Sequence, residues 1–204
     1  ELVRDKYQSD TIKIHITGFA KLVGDLIDGA TLVGVFFAIA FVITAILLMA
    51  YCRCWRLTVC GLLCSTIVVV WQLGLLRTLG MALDPYSMLV PFLVFAVGIS
   101  HASQIINRFG LYAAQGAAKD EAAQLTFIKI SKPGFIALVS DGVGFFTLRV
   151  IDIPVIQELA VVASTGIAVL IATNLILLPV ILSLTGISEG GARHRQERDA
   201  KPAR

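Results

Sequence analysis

The ionisable side chains with the clearest chemical potential are His101 and Asp141, because each interrupts a long apolar stretch. His101 follows the almost unbroken apolar run 88–99, and Asp141 lies within GFIALVSDGVGFFTL. Ionisable groups at hydrocarbon depth are costly and usually face a bundle interior or a wet cavity. Counting from the two faces of a membrane places both residues in its inner half, where we expect them to face each other. Imidazole titrates near neutral pH and keeps a neighbouring carboxylate charged, so these residues, with Ser100, predict a proton relay.

Three more polar residues accompany this pair. Gln104 lies four residues after Ser100 and three after His101, so on a helix it shares a face with each of them. Thr173 and Asn174 are adjacent in a later apolar run. Hydroxyl and amide side chains in transmembrane helices often bond to neighbouring helices. We therefore interpret Gln104, Thr173 and Asn174 as supporting polar residues that hold a bundle together.

The small residues of the same stretches are assigned to packing. Gly98, Gly142 and Gly144 are predicted to let helices approach closely.

The cysteines follow a C-x-C pattern and then occur singly, which does not match the spacing of a zinc site, so no metal is predicted. Cys52 and Cys54 lie at a membrane edge, which leaves acylation open.

The composition indicates the setting of these residues. The chain has 204 residues, of which 57% are hydrophobic and 15% are charged, against roughly 25% charged in soluble domains. Its charges cluster in short blocks between apolar runs, which predicts an all-α polytopic membrane protein. The net charge of +3 is spread over several loops, so no nucleic-acid surface is predicted.

Five transmembrane helices are predicted from apolar runs of about 20 residues. They cover approximately residues 30–51, 57–76, 86–106, 133–150 and 154–184. The fourth is expected to begin at Pro133, since proline favours the first helical turn. The fifth is longer than a bilayer requires and is expected to tilt or to begin outside it. Together they form a predicted transmembrane domain over residues 30–185.

The flanking segments differ in character from the spans. The alternation in TIKIHITG, residues 11–18, predicts a strand, and Phe19–Gly29 has helical amphipathic spacing. We interpret residues 1–29 as the end of an extracytoplasmic α+β domain. The segment AAKDEAAQLTFIKISK before Pro133 is predicted to lie along the cytoplasmic interface. The charged tail, residues 186–204, is predicted to be disordered.

The distribution of Lys and Arg predicts the orientation, because cytoplasmic loops carry an excess of both. The loops on one side have only Arg77 and Arg149. The loops and tail on the other side are richer in basic residues: Arg53, Arg56, Arg108, Lys119, Lys129, Lys132, Arg193, Arg195, Arg198, Lys201 and Arg204. The tail is therefore predicted to be cytoplasmic and the amino-terminal segment extracytoplasmic.

Enzymatic motifs are not found in the sequence. It contains no G-x-x-x-x-G-K-[ST] phosphate loop, no G-x-S-x-G and no H-E-x-x-H. Ser100 and His101 are sequence neighbours that point about 100° apart on a helix, which disfavours an intramembrane hydrolase. We therefore expect no catalytic activity and no cofactor, with the proton as the only coupling ion.

The order of these features resembles the resistance-nodulation-division (RND) superfamily, and within it the MMPL-like exporter branch. The third span, GISHASQIINRF, keeps the family's Gly98, Ile105, Arg108 and Phe109. The fourth ends with a G-F-x-[ST]-L pattern, and the fifth with an L-P-[AV]-L-like pattern at Leu178–Ile181. Ser100 stands where the family has its proton-carrying Asp, and His101 where it has Tyr.

The resemblance implies the membrane portion of one RND half: a proton-motive-force-driven exporter of lipophilic or amphiphilic substrates in a bacterial inner membrane. Its implied partners are membrane lipid, a lipophilic small molecule, the remainder of the transporter or a second half, and a homo-oligomer, but no nucleic acid. If the chain transports, the departure at Ser100 requires titration to move to His101 and Asp141. Two alternatives stay open, a sterol-sensing-like lipid-binding module and a SecD/SecF-like protein translocation component.

Overall fold

The computed structural model of the protein describes residues 6–9, 13, 17–81 and 87–187, and within these ranges it contains helices and no strand. The α-helices are α1 (Phe19–Cys52), α2 (Trp55–Thr78), α3 (Val90–Ala114), α4 (Lys119–Thr147), α5 (Pro154–Ala172) and α6 (Leu178–Thr185). Short 3-10 helices at Ser87–Leu89 and Leu148–Val150 adjoin α3 and α4, and a π-helical turn at Thr173–Leu177 joins α5 to α6.

Five helical segments are long and apolar enough to cross a membrane, in agreement with the predicted number of spans. The first differs in its bounds, because α1 starts at Phe19 and runs without a break through Gly29. A glycine inside a helix costs only about 1 kcal/mol, which does not suffice to end a helix with apolar residues on both sides. Of the strand predicted for residues 11–18, only residues 13, 17 and 18 are described, and of the tail predicted for residues 186–204 only residues 186 and 187 are described. The rest of both predictions lies outside the described residues.

The expectation that a helix starts at Pro133 is not met. Pro133 lies inside α4, which starts at Lys119 and therefore includes the segment predicted to lie separately along the interface. An interior proline removes one backbone hydrogen bond and costs about 3 kcal/mol. Membrane helices tolerate an interior proline when neighbouring groups satisfy the freed carbonyl, and α4 continues through Pro133 without a break.

The fifth span is interrupted by its π-helical turn, which the sequence analysis did not predict. Pro179 has no N–H group, so the carbonyl of Leu175 four residues earlier has no α-helical donor. The backbone widens at this point from i→i+4 to i→i+5 bonding. Such π turns within α-helices often occur at functional sites.

The core lies between α2, α3 and α5, whose buried residues include Val68, Val94, Ile106, Ile167 and Leu170. α4 packs along α5 and along the second half of α3. α1 is peripheral, because only 6% of its most apolar 18-residue stretch is buried. It contacts α3 through edge-to-face rings of Phe37 with Phe92 and Phe95.

Candidate intramembrane polar site

The polar residues of α3 follow one side of a helix that is otherwise apolar. His101 is half-buried, and its Nδ1 lies 3.1 Å from the carbonyl oxygen of Val97 on the same helix. The Ser103 hydroxyl donates to the carbonyl oxygen of Ser100 at 2.8 Å. Ser100 and Gln104, one turn apart, are both exposed. None of these side chains therefore forms a described hydrogen bond with another helix of the bundle, and they remain open to solvent or to a further partner.

Asp141 lies on α4 and is exposed, as is Ser140 beside it. The next residue contacts α5, because the Ser164 hydroxyl donates to the carbonyl oxygen of Gly142 at 3.1 Å. Among the residues that the structure describes, the ion pair formed is that of Lys21 with Asp25 near the start of α1. Asp141 and His101 thus form neither an ion pair nor a hydrogen bond with each other.

Contacts with α5 place the two ionisable residues at different depths. The Asn174 amide donates to the Gly98 carbonyl oxygen at 2.8 Å, whereas Ser164 bonds to Gly142. About ten residues of helix separate Ser164 from Asn174, which corresponds to roughly 15 Å along the bundle. His101 follows Gly98 by about one turn, in the direction that increases this difference.

A second contact supports this depth assignment. A Cβ atom built on Gly134 would lie 3.1 Å from Leu175 Cδ2, so Gly134 is level with the Asn174 region. His101, about one turn further along α3 than Gly98, is consequently level with the part of α4 about one turn before Gly134, about three turns away from Asp141. The expectation that His101 and Asp141 face each other at one depth is not met in this conformation, and a proton passing between them needs intervening water or a shift of α4 along α3.

Asn174 and Thr173 lie in the buried π-helical turn. Asn174 links this turn to α3 through its bond to Gly98, and the Thr173 hydroxyl lies 3.2 Å from the carbonyl oxygens of Val169 and Leu170 on its own helix. Asn174 therefore joins two helices, as predicted for a supporting polar residue, whereas Thr173 caps backbone groups next to the turn. Gln104, which is exposed on α3, joins no described helix through a hydrogen bond.

Two buried polar residues of α2 were not predicted from the sequence. Gln72 is fully buried, and its Nε2 donates to the carbonyl oxygen of Val162 on α5 at 3.1 Å. Ser65 is also fully buried and lies beside Gly98. Their spacing of seven residues within an apolar run is a helical-face signal that could have identified them. Within the described chain, Ser65 Oγ, Gln72 Oε1 and Asn174 Oδ1 have no hydrogen-bond partner.

The three predicted packing glycines differ in their surroundings. A Cβ atom on Gly98 would lie 3.0 Å from Leu170 Cδ1, which is tighter than ordinary contact, whereas on Gly142 it would lie 3.5 Å from Ile167. At Gly144 nothing lies within 4 Å. Among the described glycines the closest approach is at Gly166, which was not predicted: its Cβ would lie 2.5 Å from Val94 Cγ2.

The cysteines are all buried. Cys52 and Cys54 each expose only 2% of their surface, which disfavours the acylation that the sequence left open. In the described ranges no three His, Cys, Asp or Glu side chains come together in a way that could hold a metal ion.

The site therefore consists of a buried hydrogen-bonded seam and an open polar face. The seam joins α2, α3, α5 and the π-helical turn, and the open face of α3 carries the imidazole. Such a face can exchange protons with water or with a partner helix, but it contains no nucleophile–base pair. The sequence model of the MMPL family matches residues 1–203 of the chain. No curated protein matched the sequence.

Proposed function

The chain belongs to the MMPL family, and from this premise we propose that it is the membrane portion of a proton-driven exporter of lipophilic or amphiphilic substrates. MMPL proteins are RND-type membrane transporters and not enzymes in general terms, and five apolar helices agree with a multi-pass membrane protein. The proposal adds the driving force, the substrate class, a bacterial inner membrane and a cytoplasmic tail.

One observation carries the proposal: α3 exposes polar side chains, including an imidazole, in the middle of a span. Leaving such groups against lipid is costly, so they normally line water or a partner. Ser100 and Gln104 are exposed and His101 is half-buried on this face. A second transporter half or the remainder of the chain placed against it would enclose a polar path.

In this proposal His101 is the proton-carrying group of α3, and Ser100 beside it holds water rather than carrying charge. Asp141 is a separate proton-binding residue that lies nearer the other side of the membrane. Because the two are not in contact, protonation of one changes the other only when α3 and α4 move or when water connects them. That movement would couple proton flow to the rocking of the bundle between its two states.

Transport in proteoliposomes tests the proposal, with the lipophilic dye Nile red as the substrate probe and an imposed pH gradient. His101→Asn retains a donor near the Val97 carbonyl oxygen but cannot titrate. Asp141→Asn likewise removes only the charge. We expect each variant to lose gradient-driven transport by about tenfold or more, the size of a typical coupling between two sites. Asp152→Asn, an exposed carboxylate between α4 and α5, serves as the matched control and should be unaffected.

Exchange of dye without a pH gradient distinguishes loss of coupling from loss of folding. Variants that still exchange dye but ignore the gradient support a proton relay. If His101→Asn and Asp141→Asn respond to the gradient like wild type, proton coupling at these residues is wrong. If the wild-type protein itself shows no gradient-driven transport, a lipid-sensing module replaces transport as the interpretation.

A further inference from the structure

A surface groove runs between α4 and the helix that contains the π-helical turn, and its lining changes from polar to apolar along its length. The section nearest the start of α4 is a cavity of about 620 Å³ that Asp120, Gln124 and Ser183 line. The middle section, about 410 Å³, is lined by Lys132 with Phe127 and Ile176. We call these sections, with the one described next, the α4–α5 groove.

The third section is almost entirely apolar. It has a volume of about 280 Å³, and its lining includes Val139, Val143 and Phe146. Phe127 and Ile176 belong to both of the first two sections, and Ile171 belongs to both the second and the third. The groove is therefore continuous from a polar end, past one cation, to a hydrocarbon surface.

We propose that the α4–α5 groove binds one phospholipid whose headgroup carries N–H or O–H donors. Its phosphate would lie at Lys132, its headgroup donors at Asp120, Gln124 and Ser183, and one acyl chain along Val139 to Phe146. The order of polar, cationic and apolar surfaces along the groove matches the order of headgroup, phosphate and acyl chain in such a lipid.

The charges of the groove support this occupant. Neither Lys132 nor Asp120 takes part in an ion pair within the described residues, so each is available to a ligand. The Cβ atoms of a helix tilt toward its amino terminus, so the Lys132 side chain leans along α4 toward the polar end. A phosphodiester anion at Lys132 forms a charge-assisted hydrogen bond, and a carboxylate beyond it favours a headgroup that can donate.

Lipid binding in this groove does not depend on proton coupling. A protein that does not bind the lipid and a protein that does not transport are therefore separate outcomes. On the predicted orientation, Asp120 lies at the cytoplasmic end of α4 and the lipid would come from the inner leaflet. The opposite orientation would change the leaflet and leave the binding chemistry unchanged.

Native mass spectrometry of the purified protein tests the proposal, with phosphatidylethanolamine, phosphatidylglycerol and phosphatidylcholine added in equal amounts. We expect one retained lipid of the first two kinds in preference to phosphatidylcholine, whose headgroup has no donor. Lys132→Gln should lower retention of all three by about fivefold or more, since it removes a charge-assisted bond. Asp120→Ala should reduce the preference for donor headgroups and leave a retained lipid.

Two matched controls make the result specific. Lys129→Gln removes a cation from the same helix that does not line the described sections of the groove, and it should have little effect. Ile176→Trp fills the middle section, whereas Ile46→Trp changes a residue of equal type and similar exposure on α1, 61% against 63%. Only Ile176→Trp should displace the lipid.

Three results would overturn the proposal. Equal losses from Lys129→Gln and Lys132→Gln would indicate unspecific attraction to a basic helix. Retention of phosphatidylcholine equal to that of the other lipids would remove the role of Asp120. A folded protein that retains no lipid at all would show that the groove does not bind a phospholipid.

Discussion

At the scale of single residues, the bundle depends on contacts that leave no room for a larger side chain. Gln72 and Asn174 each reach across to a backbone carbonyl of another helix, at 3.1 and 2.8 Å. Interhelical bonds of this kind contribute about 0.6 kcal/mol on average in membrane proteins. Their value lies more in fixing the register of α2, α3 and α5 than in their energy. Such a register requires glycine where the helices cross.

We predict that Gly166→Ala destabilises the protein, whereas Gly144→Ala does not. The added methyl group at Gly166 would lie 2.5 Å from Val94 Cγ2 and 2.6 Å from Gln72 Nε2. Overpacking of this kind costs about 1–3 kcal/mol and would displace Gln72 from the Val162 carbonyl oxygen. At Gly144 nothing lies within 4 Å, so alanine should only raise helix propensity. Thermal unfolding in detergent measures both, and equal midpoints for the two variants would contradict the assignment.

The sequence identified the chemistry of single residues better than their positions. His101, Ser100 and Gln104 were recognisable because polar side chains in an apolar run are rare. The depth of His101 relative to Asp141 was not predictable, since it depends on where α4 begins and on how α4 and α3 contact α5. Counting from an assumed start at Pro133 shifted Asp141 toward His101. The earlier start of α4 therefore also increases the separation of His101 and Asp141 along the bundle.

At the scale of elements, the π-helical turn is the feature that separates α5 from α6. It includes Asn174, which is bonded to α3, and Ile176, which is exposed to 61% and lines the α4–α5 groove. A π turn corresponds to one extra residue in an α-helix, so residues on both sides keep their faces. Leu170 before it and Leu178 after it are both fully buried, as this relation requires.

We predict that deletion of Ile176 is tolerated and that deletion of Ile171 is not. Without Ile176 the turn can close into an α-helix, and Leu178 and Leu182 still face the core. Deletion of Ile171 within α5 rotates every following residue by about 100°, which takes Asn174 and Leu178 out of the core. Size-exclusion chromatography and thermal unfolding in detergent compare the two variants. Aggregation of both to the same extent would show that the turn is not a one-residue insertion.

The helices differ in how well the sequence predicts them. The number of spans followed from runs of apolar residues, because any membrane helix needs about 20 of them. The continuity of α4 through Pro133 did not follow, since local proline rules favour a helix start at this residue, whereas membrane helices tolerate an interior proline. The π-helical turn has only a weak local signal, the proline at position 179, which is equally compatible with an ordinary kink.

At the scale of the whole molecule, the five spans differ in how much of their surface is buried by the rest of the bundle. In the most apolar stretch of each span, 39–44% is buried for the spans that contain α2, α3 and α5. The corresponding values for α1 and α4 are 6% and 11%. Core helices and peripheral helices are thus distinct. The uncovered surfaces of α1 and α4 and the polar face of α3 are where lipid, a second half or another copy can be accommodated.

The orientation of the bundle can be tested because the native cysteines are shielded. Cys52, Cys54, Cys60 and Cys64 are 0–4% exposed, so a maleimide added to intact cells or inverted vesicles should label them poorly. A single cysteine introduced at an exposed loop position then reports its side of the membrane. Gln115 between α3 and α4, and Asp152 between α4 and α5, are both exposed and lie on opposite sides of the bundle.

We predict that a membrane-impermeant maleimide labels Asp152→Cys in intact cells and Gln115→Cys only in inverted vesicles. The loop of Gln115 adjoins Arg108 and Lys119, whereas the loop of Asp152 has Arg149 alone, and excess Lys and Arg favour the cytoplasm. The unsubstituted protein measures labelling of the native cysteines. Labelling of Gln115→Cys in intact cells would reverse the orientation and place the polar end of the α4–α5 groove in the outer leaflet. Because the order of His101 and Asp141 along the proton path reverses with it, this measurement fixes the direction in which a proton entering from outside meets the two residues.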